Sequence, residues 1–174
     1  VDTNNNNISS NNITTKCNTC YGITVDGGRL NSFVGNNITT TGASAYGINL
    51  PGNLVTRGNN FTRTTIRTTA SGARGISLNG LSIGNNTFNL TVISSIDIGI
   101  FVSSPQNQFY ISDVNGTPTV QLGSNAFNNT FINLKFNGSS TGILLTGSTV
   151  RNNLIKDFKG WGKDNGIQLD SNAL

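Results

Sequence analysis

Seven aspartates are the only acidic side chains in this 174-residue chain, which contains no glutamate, histidine or methionine. Acid–base chemistry on a polymer needs two titratable groups held close together. The placement of Asp2, Asp26, Asp97, Asp113, Asp157, Asp164 and Asp170 therefore bounds what reactions are open. No acid lies between Asp26 and Asp97, whereas Arg29, Arg57, Arg63, Arg67 and Arg74 all fall there. Such a band attracts anionic glycans, in a salt-sensitive way. With a formal net charge of only +4 the band reads first as a solvated face, and nucleic acid is not expected as a partner. Asp157 and Asp164 sit among Lys156, Lys159 and Lys163, as expected of surface ion pairs.

Cys17 and Cys20 form a Cys-x-x-Cys pair with no further Cys and no His, so a single chain cannot complete a usual zinc site. A thioredoxin-like site needs a helix after the motif, but Tyr21 to Val25 reads as a strand. A disulfide across a turn at Asn18-Thr19, formed in an oxidising compartment, is the reading that fits. Lys159-Gly160-Trp161-Gly162-Lys163 puts the only Trp on a glycine-flanked loop between lysines, a candidate surface for sugar stacking or a subunit contact. Tyr21, Tyr46 and Arg74 hold one position before successive repeats and are expected to stack as a structural column with a cation–π contact.

The elements that must position these residues come from a repeat. A small–apolar–any–apolar phrase begins at Gly22, Gly47, Gly75, Gly99, Thr119, Gly142 and Gly166, in steps of 25, 28, 24, 20, 23 and 24 residues. A second phrase, an Asn pair or its echo before an apolar residue, keeps step with it. It runs Asn11-Asn12-Ile13, Asn36-Asn37-Ile38, Asn59-Asn60-Phe61, Asn85-Asn86-Thr87-Phe88, Gln106-Asn107-Gln108-Phe109, Asn128-Asn129-Thr130-Phe131 and Asn152-Asn153-Leu154. Two phrases on one period mark a solenoid. The segments are short, alternating and β-branched, with no helical stripe. The fold expected is all-β: a right-handed parallel β-helix of about seven coils, about 24 residues each, with residues 1–174 as one domain and 1–20 an irregular first coil.

Alternation then gives two inward columns: Ile23, Ile48, Ile76, Ile100, Val120, Ile143, Ile167 and Val25, Leu50, Leu78, Val102, Leu122, Leu145, Leu169. Between them the outward positions Thr24, Asn49, Ser77, Phe101, Gln121, Leu144 and Gln168 carry no ionisable group. The Asn pairs are expected to stack as an amide ladder.

These phrases resemble those of right-handed parallel β-helix repeat proteins, the pectin-lyase-like superfamily, and within it the NosD-like members with Asn-Asn-x-Ile repeats. The resemblance implies the fold, and admits a polysaccharide lyase or glycoside hydrolase. The Asp-Asp and Gly-His-Gly signatures of the polygalacturonase-like relatives are absent, and a lyase built on Arg57, Arg63 or Arg67 would lack nearby acids to hold calcium. No catalytic residue, cofactor or metal is assigned, and the reading favours a non-enzyme.

Acceptor sequons for N-glycosylation occur at Asn7, Asn12, Asn37, Asn60, Asn85, Asn89, Asn115, Asn128 and Asn137. Asn89, Asn115 and Asn137 lie outside the ladder phrase and are the preferred candidates, since a laddered Asn cannot carry a glycan. With the Cys pair they point outside the cell, to a secreted or cell-surface glycoprotein. No apolar run is long enough to span a membrane. The chain opens at Val1 rather than Met, as a processed chain or fragment would. The absence of a capping helix leads to an expected partner, further copies of the chain stacked end to end in a surface filament or adhesin-like fibre. Arg57, Arg63, Arg67, Arg74, Lys159, Trp161 and Lys163 are the candidate contacts for polysaccharide or anionic glycans.

Overall fold

Each Gly-Ile-x-Leu phrase forms a short strand, and the seven strands stack in parallel as one face of a triangular rod. They run from Ile23–Thr24 through Ile48–Leu50, Ile76–Asn79, Ile100–Ser103, Val120–Leu122 and Ile143–Leu145 to Ile167–Leu169. The register is the one the repeat predicts: Ile23, Ile48, Ile76, Ile100, Val120, Ile143 and Ile167 pair in order. The computed structural model describes residues 3–138, 140–162 and 164–170, and within them no helix forms. The protein is a right-handed parallel β-helix, with six turns between the first and last strands of this face.

Both predicted columns are buried through the middle of the rod. Ile48, Leu50, Ile76, Leu78, Ile100, Val102, Val120, Leu122 and Ile143 have no exposed surface, each worth roughly 1.5–3 kcal/mol of burial. The columns open at the last coil, where Ile167 and Leu169 are 53% and 68% exposed. The phrase opens with Gly for a steric reason. A Cβ at Gly47 would stand 2.3 Å from Ile66 Cγ2 and 2.7 Å from the Gly75 carbonyl oxygen.

The other two faces form a second sheet, and here the Asn phrase resolves into two different columns. On the first face the apolar residues pair as Ile8, Phe33, Phe61, Phe88, Phe109, Phe131 and Ile155. The five phenyl rings stack within 6° of parallel, centroids 4.5–5.0 Å apart. On the second face Ile13, Ile38, Ile66, Ile93, Val114 and Phe136 form a separate column. Asn11-Asn12-Ile13 and Asn36-Asn37-Ile38 thus belong to the second face, and the later Asn pairs to the first. The true first-face partners in the early coils are Asn6-Asn7-Ile8 and Asn31-Ser32-Phe33.

At each first-face corner two consecutive residues have separate tasks. The leading residue turns the corner from the third face with φ near +60°: Asn5, Leu30, Gly58, Asn85, Gln106, Asn128 and Asn152. Asn and Gly reach this left-handed region at low cost. The trailing residue is the ladder: Asn6, Asn31, Asn59, Asn86, Asn107, Asn129 and Asn153. Each Oδ1 from Asn31 onward accepts the backbone N–H and the Nδ2 of the residue one coil earlier, at 2.8–3.4 Å. A shorter ladder of the same geometry joins Asn11 to Asn36 at the next corner.

Residues 3–20 form a coil with strands Asn7–Ser9 and Asn12–Thr15, and Cys17 and Cys20 are disulfide-bonded with Cα atoms 5.4 Å apart. The Cys20 N–H donates to the Cys17 carbonyl. The next two coils make the same turn with Ala45 to Gly42 and Ala73 to Ala70.

Candidate functional site

A second corner, between the first and second faces, breaks the regularity of the rod. Ser10, Gly35, Arg63, Asn133 and Asp157 turn it with φ between +50° and +64°. In the fourth and fifth coils the turn is absent, and Thr87–Ser95 and Gln108–Asn115 run straight through for nine and eight residues. Leu90 and Ile111, 2% and 1% exposed, occupy the straightened junction and are held inward by the core. Apolar residues at these two positions take the place of the left-handed turn, and a trough runs along this corner of the rod.

Three shallow depressions follow this trough. Asn89, Tyr110, Ile111, Asn133 and Lys135 line one of about 230 Å³. Asn133, Lys135, Asp157 and Lys159 line a second of about 300 Å³, and Asp113, Lys135, Phe136, Asn137, Lys159 and Gly160 a third of about 230 Å³. Lys135 borders all three. A larger hollow of about 520 Å³, lined by Ile8, Val25 and Phe33 among others, lies in the first coil beside the opening of the core.

The register aligns the trough's charges. Lys135 pairs with Lys159, and Asp113 stands one coil before Lys135, since Val114 pairs with Phe136. Two exposed ammonium groups are therefore stacked about 4.8 Å apart in backbone spacing, an unfavourable pairing unless an anion lies between them. Beside this column runs another of Arg67, Ser94, Asn115, Asn137 and Trp161. Along the trough a ligand meets carboxamides, a phenol, amines and one or two carboxylates. Asp113 and Asp157 stand two coils apart and border different depressions, an arrangement too open for the paired carboxylates of glycoside hydrolysis.

The sequence-derived candidates are dispersed among several surfaces. Lys159 and Trp161 lie on the strand Lys159–Gly162, not on a loop, and Lys159 borders the trough; Lys163 lies outside the described residues. Arg63 and Arg67 stand at its other end, three coils before Lys135. Arg57 points from the opposite corner, in register with Arg29. Arg74 lies on the third face, its guanidinium 3.9 Å from the Phe101 ring centroid and 5.3 Å from that of Tyr46, which stacks on Tyr21 at 5.1 Å. It also donates from Nη1 to Ser77 Oγ at 3.2 Å; Ser77 and Asn49 hold the outward positions between the two columns, yet both are buried. The predicted ion pairing of Asp157 does not form among the described residues.

The sequons are also redistributed. The ladder asparagines are not the acceptors: Asn7, Asn12, Asn37, Asn60, Asn85 and Asn128 sit one position away from it and are exposed, as are Asn89 and Asn137. Asn115 is the exception, because its Oδ1 is enclosed with no hydrogen-bond partner. Tyr110, Asp113, Asn133 and Lys135 were not singled out by sequence reasoning. The second-face alternation around Ile66, Ile93, Val114 and Phe136 was the signal for them, hidden by treating the Asn phrase as one column.

No protein-family model matches the chain, and no curated protein matches it. Among solved structures it resembles the mannuronan C-5 epimerase AlgE4 A-module of Azotobacter vinelandii, with a TM-score of 0.55 and 14% identity over 95% of this chain. The chain spans 58% of that module's length. At this identity the likeness establishes a shared parallel β-helix.

Proposed function

We propose that the protein binds a linear polysaccharide, preferentially an anionic one, in the trough between its first and second faces, and does so outside the cell. The observation that carries this reading is the Lys135–Lys159 pair, two like charges stacked in register beside Asn133, Asn137 and Tyr110. Bridging anions would relieve their repulsion, while the amides and the phenol supply hydrogen bonds to hydroxyl groups. A disulfide suits an oxidising exterior, and the epimerase module with the same fold acts on a polysaccharide. Tyr110 and Lys135 share one depression, so a phenol and an ammonium donate hydrogen bonds to the same bound sugar. Affinity electrophoresis against anionic and neutral polysaccharides, with product analysis of each incubation, tests binding and turnover together. Retardation by the anionic polymers alone supports the reading, and retardation by none refutes it.

A second reading, end-to-end stacking into a filament, is favoured by the last coil, where Leu154, Ile167 and Leu169 are each more than half exposed. The ladder gives such a contact a direction. The Asn153 N–H lies at the C-terminal end of the ladder and Asn6 Oδ1 at its N-terminal end, so they would meet head to tail. Electron microscopy separates the outcomes: fibres support stacking, and short monodisperse rods rule it out for this chain.

A further inference from the structure

Among the described residues eight large apolar side chains are exposed, and setting aside the three on the last coil leaves four of the remaining five at one place. Leu30, Leu54, Val55 and Leu81 are 63%, 50%, 38% and 58% exposed, on the corner where the third face turns into the first. Leu54 and Leu81 stand on stacked loops, since Thr56 pairs with Ile83 two residues later in each. Leu30 leans over Gly58 of the next coil, and a Cβ placed there would be 2.9 Å from Leu30 Cδ2.

Leu30 is the outlier that makes this patch more than a scatter of exposed side chains. It holds the left-handed corner, at φ 56°, that five other coils give to Asn or Gln and one to Gly. A γ-branched apolar residue there is strained and also exposed, so neither the backbone nor the core accounts for it. Next to it Arg29 pairs with Arg57, and farther along the same corner Arg151 lies over Phe127 at 5.0 Å. The carboxylate beside the patch, Asp26, is occupied by the Leu54 N–H and Asn53 Nδ2.

We propose that this corner docks the rod onto an anionic lipid surface, the aliphatic side chains entering the interface and Arg29, Arg57 and Arg151 meeting phosphates. Three features favour lipid over a protein partner. The anchors are aliphatic, whereas protein hot spots draw mainly on Trp, Tyr and Arg. Leu30, Leu54, Val55 and Leu81 line none of the depressions described above. The backbone is already paired on both sides, with Thr56, Arg57 and Gly58 N–H groups bonded to Ser82, Gly28 and Gly84, so no strand can be added. The aliphatics and the basic row together match the signature of an interfacial anchor. This docking is independent of the trough, which lies along a different corner and would face away from the surface.

The test is flotation of the full chain with vesicles of phosphatidylcholine alone or mixed with phosphatidylglycerol. The protein should float with the mixed vesicles and not with the neutral ones. Arg29→Gln with Arg57→Gln should weaken partition about fivefold for each charge removed. Leu30→Asn with Leu81→Ser should weaken it at least as much at constant charge, and Leu30→Asn places a residue that other coils carry at that corner, so the fold is kept. No flotation at low salt overturns the proposal. So does flotation indifferent to the leucine changes, which would be adsorption by charge alone. Leucine-dependent retention on an immobilised acidic polypeptide, without vesicle binding, would assign the ridge to a protein partner instead.

Discussion

The Oδ1 of Asn86 accepts two hydrogen bonds from Asn59, one from its backbone N–H and one from its Nδ2, both at 3.0 Å. Asn86 in turn donates the same pair to Asn107, at 3.2 and 3.1 Å. All three residues are buried, and each accepts from a corner N–H of the preceding coil.

Replacing Asn86 with Ala leaves the Asn59 N–H without an acceptor, while the Asn59 amide keeps only its bond to the Gly28 carbonyl. Each unsatisfied buried group costs about 1–3 kcal/mol, so denaturant unfolding should show a large loss. Asn85→Gly, one residue away on the exposed corner, should change stability by less than about 0.5 kcal/mol. Equal effects at the two positions would deny the division of labour within the pair.

The dry core gives a positional contrast. Ile100→Asp should abolish cooperative folding, because a carboxylate in the middle of the rod has no partner. The same change at Ile167, 53% exposed at the last coil, should leave the circular dichroism of the folded rod nearly unchanged.

The disulfide closes a turn that inner coils make without one. The tie constrains this turn covalently where the next two coils rely on a backbone hydrogen bond alone. Cys17→Ala with Cys20→Ala should accelerate hydrogen exchange across residues 12–24, while the strands around Ile76 and Ile100 keep their protection. Uniform loss along the rod would mean that the bond supports the whole fold.

Leu30→Asn should stabilise the protein, by about 0.5–1 kcal/mol, because Asn tolerates the left-handed region better than Leu. Thermal unfolding measures it directly. Destabilisation would show that Leu30 has packing value despite its exposure.

How much of this was legible in the sequence depended on how each column is encoded. The third face repeats one residue type at each inward position, so Ile48, Ile76 and Ile100 could be aligned by eye. The Asn phrase misled because two corners use the same side chain for the same task, and Asn11-Asn12 looks like Asn59-Asn60 although they lie on different faces. The phenylalanine stack suffered with it, since its early members Ile8 and Phe33 stand outside the phrase as read. The trough was least legible. In the coils that line it no repeat phrase marks the corner it follows, and its charges meet only once Val114 and Phe136 are known to pair.

The proposal that the trough holds an anionic polysaccharide is tested most directly by isothermal titration of one anionic polymer into the wild-type chain and into Lys135→Gln with Lys159→Gln. The wild type should bind with an affinity that falls steeply as salt is raised. The double variant should keep its thermal stability or gain slightly, as like-charge repulsion is removed, and bind at least tenfold more weakly. Undiminished binding by the double variant, or no wild-type binding to any anionic polymer at low salt, would contradict it.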